Sequence, residues 1–467
     1  MSSPFRQLAR DSVIYGLSTV VQRLLTFLLT PLYTNVLAPA QLGDVAQLYA
    51  LMALASVVAT FGFEQAFMRY WVEKRPPEAV LTHAMAGVVA IASAMAGIGI
   101  VAAPALASVL SLAGTGAAGW VQMALFVVAF DAVATIPFAM LRMERRAVLF
   151  AALRVAVVAV NVALNVLLVA SRGWGVEGVM IAAVSSSLLG ALAAVPIVLP
   201  RLRWQFDGAL FGALLRFGAP TVPAALAAMV VQVADRPLLG WLAGSDAVGI
   251  YNANYRLAIP MMLAVSVFET AWRPLYLQHA DDPNIGTLLA RAMRYFLAVA
   301  VALFSVVTLL VGDIVAIPIG RGHLIGAEYW RGLGVVPIVM AGYIALGVTT
   351  AMVASIQIAK RTSLLPLVHG SAAIANIVLN LALIPLADYL GAAWATLGAY
   401  VVGAIVAARL SRGVLAVSYP WGSIVVAAVM CAIVAIAASV LPQQGMLWAK
   451  TAIAVSVCIG AYAMVVK

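Results

Sequence analysis

The sequence predicts an all-α integral membrane protein of about fourteen transmembrane helices: two six-helix lobes related by a parallel, pseudo-two-fold repeat, plus two extra C-terminal helices. Three observations carry this expectation. Of 467 residues, 65% are apolar and 9% charged, against roughly 45–50% and about 25% in soluble domains. The apolar residues fall into runs long enough to cross a bilayer, which takes about 20 residues each. The cations gather in alternate connections between those runs.

Taken in order, runs bounded by Gly, Pro and charged clusters place spans at 12–36, 42–66, 79–111, 119–141, 147–170, 175–199, 217–242, 249–275, 295–319, 332–358, 362–386, 389–410, 421–441 and 447–466. The first carries Arg23 at its middle and is longer than the roughly 7–15 apolar residues of a signal-peptide core, so Ala38-Pro39-Ala40 is not read as a cleavage site. Polar stretches separate the second span from the third (Arg69 to Glu78), the sixth from the seventh (Pro200 to Arg216), the eighth from the ninth (Gln278 to Arg294) and the ninth from the tenth (Gly320 to Arg331). Fourteen helices use roughly 280 positions and leave about a dozen per connection, too few for a separate soluble domain.

The net charge of +10 would fit nucleic acid, but its placement fits membrane orientation better. With the N-terminus in the cytoplasm, 19 of the 27 cations fall on the inner side, four (Arg172, Arg321, Arg331 and Lys450) on the outer side, and four (Arg23, Arg154, Arg236 and Arg256) inside spans. Both termini are therefore expected inside. Cys431 and Cys458 lie in apolar runs, form no disulfide framework or zinc site, and read as packing residues.

The chain also repeats itself. Tyr15-Gly16-Leu17-Ser18-Thr19-Val20 recurs as Phe217-Gly218-Ala219-Pro220-Thr221-Val222 at a spacing of 202, and Pro31, Gly43 and Tyr49 recur as Pro237, Gly249 and Tyr255 at 206. Arg154, Asn161 and Asn165 correspond to His369, Asn376 and Asn380 at a constant 215. Positions i, i+7 and i+11 lie within about 20° on a helix, so each set forms one polar stripe. Six helices per copy returns the chain to its starting side, which makes the repeat parallel about an axis along the membrane normal. The expected organisation is an N-lobe at 1–200 (helices 1–6), a cytoplasmic linker at 201–216, a C-lobe at 217–414 (helices 7–12) and two additional helices at 415–467.

The segment from Tyr15-Gly16 to Pro31-Leu32-Tyr33, the turn Gln41-Leu42-Gly43-Asp44, and Phe61-Gly62-Phe63-Glu64 with Arg69-Tyr70-Trp71 resemble the polysaccharide and O-antigen flippases. So do Asn376-Ile377-Val378-Leu379-Asn380-Leu381 running to Pro385, and Gly391-Ala392-Ala393-Trp394-Ala395-Thr396. That family lies in the multidrug, oligosaccharidyl-lipid and polysaccharide exporter superfamily. The resemblance implies two six-helix bundles around a cavity that opens alternately to each side. It implies a cargo of undecaprenyl-pyrophosphate-linked oligosaccharide moved from the inner to the outer leaflet of the bacterial cytoplasmic membrane, for lipopolysaccharide or other surface-polysaccharide biosynthesis. It also implies partner enzymes such as a polysaccharide polymerase. A drug/cation antiporter of the same superfamily and a peptidoglycan-precursor (lipid II) flippase are the alternatives.

An ionisable side chain at mid-bilayer costs roughly 2.5–3.5 kcal/mol on insertion scales and marks a cavity or a pair. Arg23 joins Ser12, Tyr15, Thr19, Thr26 and Thr30 in a polar stripe, which suits a cavity-facing helix. There its guanidinium would hold a pyrophosphate through forked hydrogen bonds; the other reading is an ion pair with Asp131. Arg236 and Arg256, with Gln232 and Asn252 four positions earlier, read either as lining the outer half of the cavity or as snorkelling. Arg154 heads the stripe of Asn161 and Asn165, and its counterpart His369, above Asn376 and Asn380, titrates near neutral pH in an ordinary setting. The asparagines serve interhelical hydrogen bonding in the simpler reading. Asp131, Asp235, Glu64 and Glu269 are the candidate carriers of a coupling ion, Asp131 first; Glu64 and Glu269 lie near the cytoplasmic ends, where they would cap or pair with Arg69 and Arg273.

No lysine follows a glycine, so there is no Walker A loop and no bound cofactor is expected. Uphill transport would draw on a proton or sodium gradient, the membrane potential or another protein. A membrane glycosyltransferase or polymerase would need a sizeable outer loop with placed carboxylates. The first outer loop offers only Asp44, so an enzyme is not expected.

Overall fold

The computed structural model describes residues 21–22, 25–73, 76–112, 114–203, 206–415 and 417–466. Helix α1 occupies 25–36 and is followed by α2 (Pro39–Thr60), α3 (Phe63–Trp71), α4 (Pro77–Val109), α5 (Ala117–Met143), α6 (Ala147–Asn165), α7 (Gly175–Val198), α8 (Gly208–Gly218) and α9 (Thr221–Val233). Then come α10 (Asp235–Tyr255), α11 (Ile259–Gln278), α12 (Ile285–Val315), α13 (Val335–Ile358), α14 (Leu365–Arg412), α15 (Trp421–Val440) and α16 (Leu447–Val466). The second to fourteenth expected spans each overlap one or more of these helices, and the described part of the first, from 25 on, is α1. The one departure from an all-α fold among the described residues is a two-residue antiparallel pair, Pro318–Ile319 with Gly322–His323, in the connection before α13.

Several boundaries differ from the expected ones for local reasons. The second span ends at Thr60, because Phe61 (φ 44°) and Gly62 (φ 72°) are left-handed and start a separate α3. Only glycine suits position 62 on two counts, since a Cβ there would also meet the Gly218 carbonyl and the Thr221 hydroxyl. The ninth helix begins at Ile285, ten residues before the expected start, so the polar stretch with Arg291 and Arg294 is helical. The polar stretch before the seventh span likewise contains α8, N-capped by the Asp207 carboxylate on the amides of Ala209 and Leu210. The long α14 breaks at Ala387 and Asp388 (φ 53°, ψ −132°), giving the eleventh and twelfth spans.

Contacts divide the chain into two compact units, Met1–Trp241 and Leu242–Lys467. The division falls later than the 201–216 linker read from the repeat, because α8 packs on α3 and α9 on α2. In the first unit α4 packs along α5, and α5 along α7, over a core that includes Phe63, Phe67, Val88, Val128, Ile136 and Met140. In the second, α13 packs along α14, and α12 carries both α15 and α16. The last of these contacts holds a charge pair absent from the sequence candidates. Asp313, inside the ninth expected span, accepts from Lys450 Nζ at 2.5 Å and from the Gly445 amide at 2.7 Å; Lys450 also donates to the Gln443 carbonyl and is 2% exposed. Lys450, counted as an outer-loop cation, is thus a buried tie between α16 and α12.

Candidate functional site

In the first unit, the polar positions of α6 form a ladder rising about 10 Å from Arg154 to Asn161 and about 16 Å to Asn165. Nearest the cation-rich end, the Arg154 guanidinium lies 4.2 Å from the centroid of Phe138 and 5.9 Å from that of Phe150. Its electrostatic partners are Asp131 on α5, and Arg142 and Glu64, which are themselves ion-paired. Asp131 accepts a hydrogen bond from Ser187 on α7. Further along, Asn161 donates to Ser186 Oγ at 3.0 Å. Asn165, fully buried, donates to the Asn161 carbonyl and accepts from the Tyr33 hydroxyl of α1 at 2.7 Å. Four helices thus share one continuous polar track.

The second unit repeats the pattern with altered chemistry. Asn380 donates to the Asn376 carbonyl at 2.8 Å and to its Oδ1 at 3.1 Å, against 2.9 and 3.2 Å for Asn165 on Asn161. His369 stands where Arg154 stood, and the charge acting on it is Glu269, whereas Arg154 feels Asp131 most and Glu64 least. Each unit therefore sets a basic group within the field of a carboxylate, an arginine in one and an imidazole in the other. Phenol pairing differs as well. The Oδ1 of Asn380 is buried with no hydrogen-bond partner among the described residues, and the 206-residue spacing puts Leu239 where the first copy has Tyr33.

The remaining candidates divide. Arg236 is largely enclosed at 12% side-chain exposure, bonded to Asp235 Oδ1 at 2.7 Å and to the Gln232 carbonyl at 2.8 Å. Asp235 is 3% exposed, so the two sequence candidates form one internal pair. Arg256 is half-buried in a 3-10 turn beside the column of Tyr251, Tyr255, Tyr343 and Tyr400, whose successive ring centroids lie 5.4, 6.1 and 6.2 Å apart. Arg23 lies outside the described residues, with Ser12, Tyr15 and Thr19. The expected pairing of Glu64 with Arg69 is corrected: five residues apart on a helix are about 140° apart. Arg69 instead reaches Glu73 one turn on at 3.6 Å, while Glu64 meets Arg142 from α5. Arg273 bonds Tyr276, and among the described residues Glu269 makes no close ion pair.

Sequence reasoning missed Tyr33, Ser186 and Ser187. Period-3.6 spacing on α7 shows only a serine run, Ser185-Ser186-Ser187, and nothing in it names α6 as the partner. Outside the spans, Tyr329 in the turn before α13 is buried and beside Glu328 and Asp246, which pushes its phenol up and keeps it protonated.

The chain has known relatives. A family profile described as polysaccharide biosynthesis protein matches residues 8–278. The chain belongs to that family. Among solved structures, the lipid II flippase MurJ in an inward closed conformation superposes with a TM-score of 0.76 at 14% identity, covering 97% of this chain and 98% of that one. An inward-facing multidrug resistance MATE family transporter of the MOP superfamily gives 0.65 at 14% identity, over 86% and 94% of the two chains. An outward-facing one gives 0.57 at 13%, over 88% and 96%. The family member thus shares the fold of these solved structures. No curated protein sequence matches it.

Proposed function

We propose that this polysaccharide biosynthesis family member is a flippase that moves an undecaprenyl-pyrophosphate-linked oligosaccharide from the inner to the outer leaflet of the bacterial cytoplasmic membrane, with both termini cytoplasmic. The observation that carries the reading is the family match on a chain with a transporter fold. The protein in this reading transports and does not catalyse. Its cargo's pyrophosphate, esterified at both ends, is dianionic, and the intramembrane guanidiniums of Arg23, Arg154, Arg236 and Arg256 are the groups suited to it. Asn161, Asn165, Asn376 and Asn380 add neutral hydrogen-bonding capacity. Asp131, Asp235, Glu64, Glu269 and His369 are the groups that would carry coupling to a proton or sodium gradient.

Removal of the protein from its own cell decides between cargoes. Accumulation of a polyprenyl-pyrophosphate oligosaccharide on the inner leaflet, with loss of surface glycan, is the expected result. Accumulated lipid II with intact glycan would replace this reading with a peptidoglycan-precursor flippase, to which the superposition on MurJ lends support. Drug sensitivity with both lipids normal would replace it with an antiporter. In the expected case, Arg23→Ala and Arg23→Glu abolish glycan export while the protein still reaches the membrane.

A further inference from the structure

The second unit contains a cleft of about 670 Å3 between α12, α13, the second half of α14 and α15. Its walls are apolar side chains such as Phe304, Ala341, Val348, Ala404 and Ala428, and the only charged lining residues are Arg409 and Arg412. Both guanidiniums sit at one end, one helical turn apart on the same face of α14. That is the end the cation count assigns to the cytoplasm. Both are exposed, and among the described residues neither is ion-paired to a carboxylate. The Arg412 guanidinium carbon lies 4.9 Å from the centroid of Trp421 at the start of α15. A guanidinium held over an aromatic ring still has N–H groups to offer an anion.

The shape of the cleft restricts what fills it. From Trp394 to Arg412 the lining follows α14 for 18 residues, a rise of about 27 Å, close to the hydrocarbon thickness of a bilayer. An acyl chain reaches from the headgroups of one leaflet to mid-bilayer, about half the hydrocarbon thickness, so it fits within that length.

We propose that this cleft is a binding site for one acyl chain of an anionic diacyl phospholipid, whose phosphate is held between Arg409 and Arg412. The second chain stays in the bilayer. Apolar burial holds the chain, at about 25 cal/mol per Å2 of surface removed from water in the detergent-solubilised protein, and two unpaired guanidiniums select the headgroup charge. The bound lipid then fills the space between α15 and the α13–α14 pair. This proposal does not rest on the identity of the transported cargo.

The test is to purify the full chain in mild detergent, wash it extensively and quantify the lipids that remain. About one phospholipid per chain, enriched in phosphatidylglycerol or cardiolipin over zwitterionic lipid, is expected. The double variant Arg409→Gln/Arg412→Gln should lower retention at least tenfold, and Arg409→Lys/Arg412→Lys should keep most of it. Ala404→Leu/Ala428→Leu, which fills the cleft and spares the cations, should also lose the lipid. A measurement on the unaltered cleft covers failure of these variants to fold. In a Cys458→Ser background, added phosphatidylglycerol should shield Cys431, which lines the cleft, from an apolar maleimide at least fivefold better than phosphatidylcholine. Retention of no phospholipid, retention without headgroup preference, a polyprenyl lipid in its place, unchanged retention in a folded double variant, or equal shielding would each overturn the site.

Discussion

Replacing Arg154 by glutamine tests whether the charges of the first unit act as one network. The guanidinium lies over Phe138 at 4.2 Å, a cation–π contact of about 0.5–2 kcal/mol depending on how dry it is. Its removal also leaves the Asp131 carboxylate inside a span without its cation. An uncompensated charge at mid-membrane costs about 2.5–3.5 kcal/mol, but Asp131 is solvent-accessible and keeps its Ser187 hydrogen bond, so about 1–2 kcal/mol is the expected share. Glu64 adds little, because Arg142 already neutralises it. The single variant should therefore lose about 2–3 kcal/mol. Asp131→Asn/Arg154→Gln removes both charges and should lose only the ring contact, about 1 kcal/mol.

Denaturant titration of wild type, both single variants and the double variant in mixed micelles measures the cycle. Coupling of at least about 1 kcal/mol is expected, whereas additivity within about 0.5 kcal/mol would refute the network. A transport measurement on the same proteins then separates structure from coupling. A stable double variant that flips cargo with the usual response to pH and sodium would remove Asp131 from the list of coupling groups. A stable double variant without transport keeps it there.

Three further outcomes follow from the geometry. Asn165→Leu removes the oxygen that accepts from the Tyr33 hydroxyl and should destabilise by about 1–3 kcal/mol, while Asn380→Leu, whose Oδ1 has no partner among the described residues, should cost at least about 1 kcal/mol less; equal losses on denaturant titration would contradict the asymmetry. Lys450→Met leaves Asp313 without its cation and should cost about 3–5 kcal/mol and expose the α15–α16 connection to protease, with Lys450→Met/Asp313→Asn recovering most of the loss; protection unchanged in the single variant would show that the pair does not hold α16. Gly62→Val combines a left-handed backbone with collision against the Gly218 carbonyl and should cut the membrane-inserted level severalfold, through a loss of about 2–4 kcal/mol; a normal level and melting point would refute the close approach of α8 to the α2–α3 turn.

Helix number and placement were readable because bilayer thickness imposes a length on every span, and the cost of charge inside it makes each polar residue informative. The pairing of Asn161 with Asn165, and of Asn376 with Asn380, was readable for a similar reason, since both members lie one turn apart on one helix. What escaped were contacts whose partners are far apart in sequence. Tyr33 meets Asn165 across 132 residues and Lys450 meets Asp313 across 137, and no period along a single helix encodes such a distance. Helix breaks were half readable. Gly62 flags the end of α2, whereas the turn at Asp388 uses a non-glycine residue at positive φ and is hidden inside an apolar run.

The two copies of the repeat have diverged in a direction that bears on how a duplicated bundle can do asymmetric work. Backbone-directed features are shared: the asparagine steps agree within 0.1 Å in each corresponding distance. Features that set charge are not. The first unit keeps an arginine, permanently cationic, with Asp131 as its main counter-charge, whereas the second has a histidine in the field of Glu269. A guanidinium holds an anion at any physiological pH, while an imidazole changes charge within the physiological range in an ordinary setting. Symmetric scaffolds with unequal basic groups would give the two units different responses to pH. If that difference matters, Arg154→His and His369→Arg are not equivalent exchanges. The first should make transport more sensitive to pH between about 6 and 8, and the second should flatten whatever sensitivity the wild type has. Identical pH profiles for both variants and wild type would assign both basic groups to packing alone.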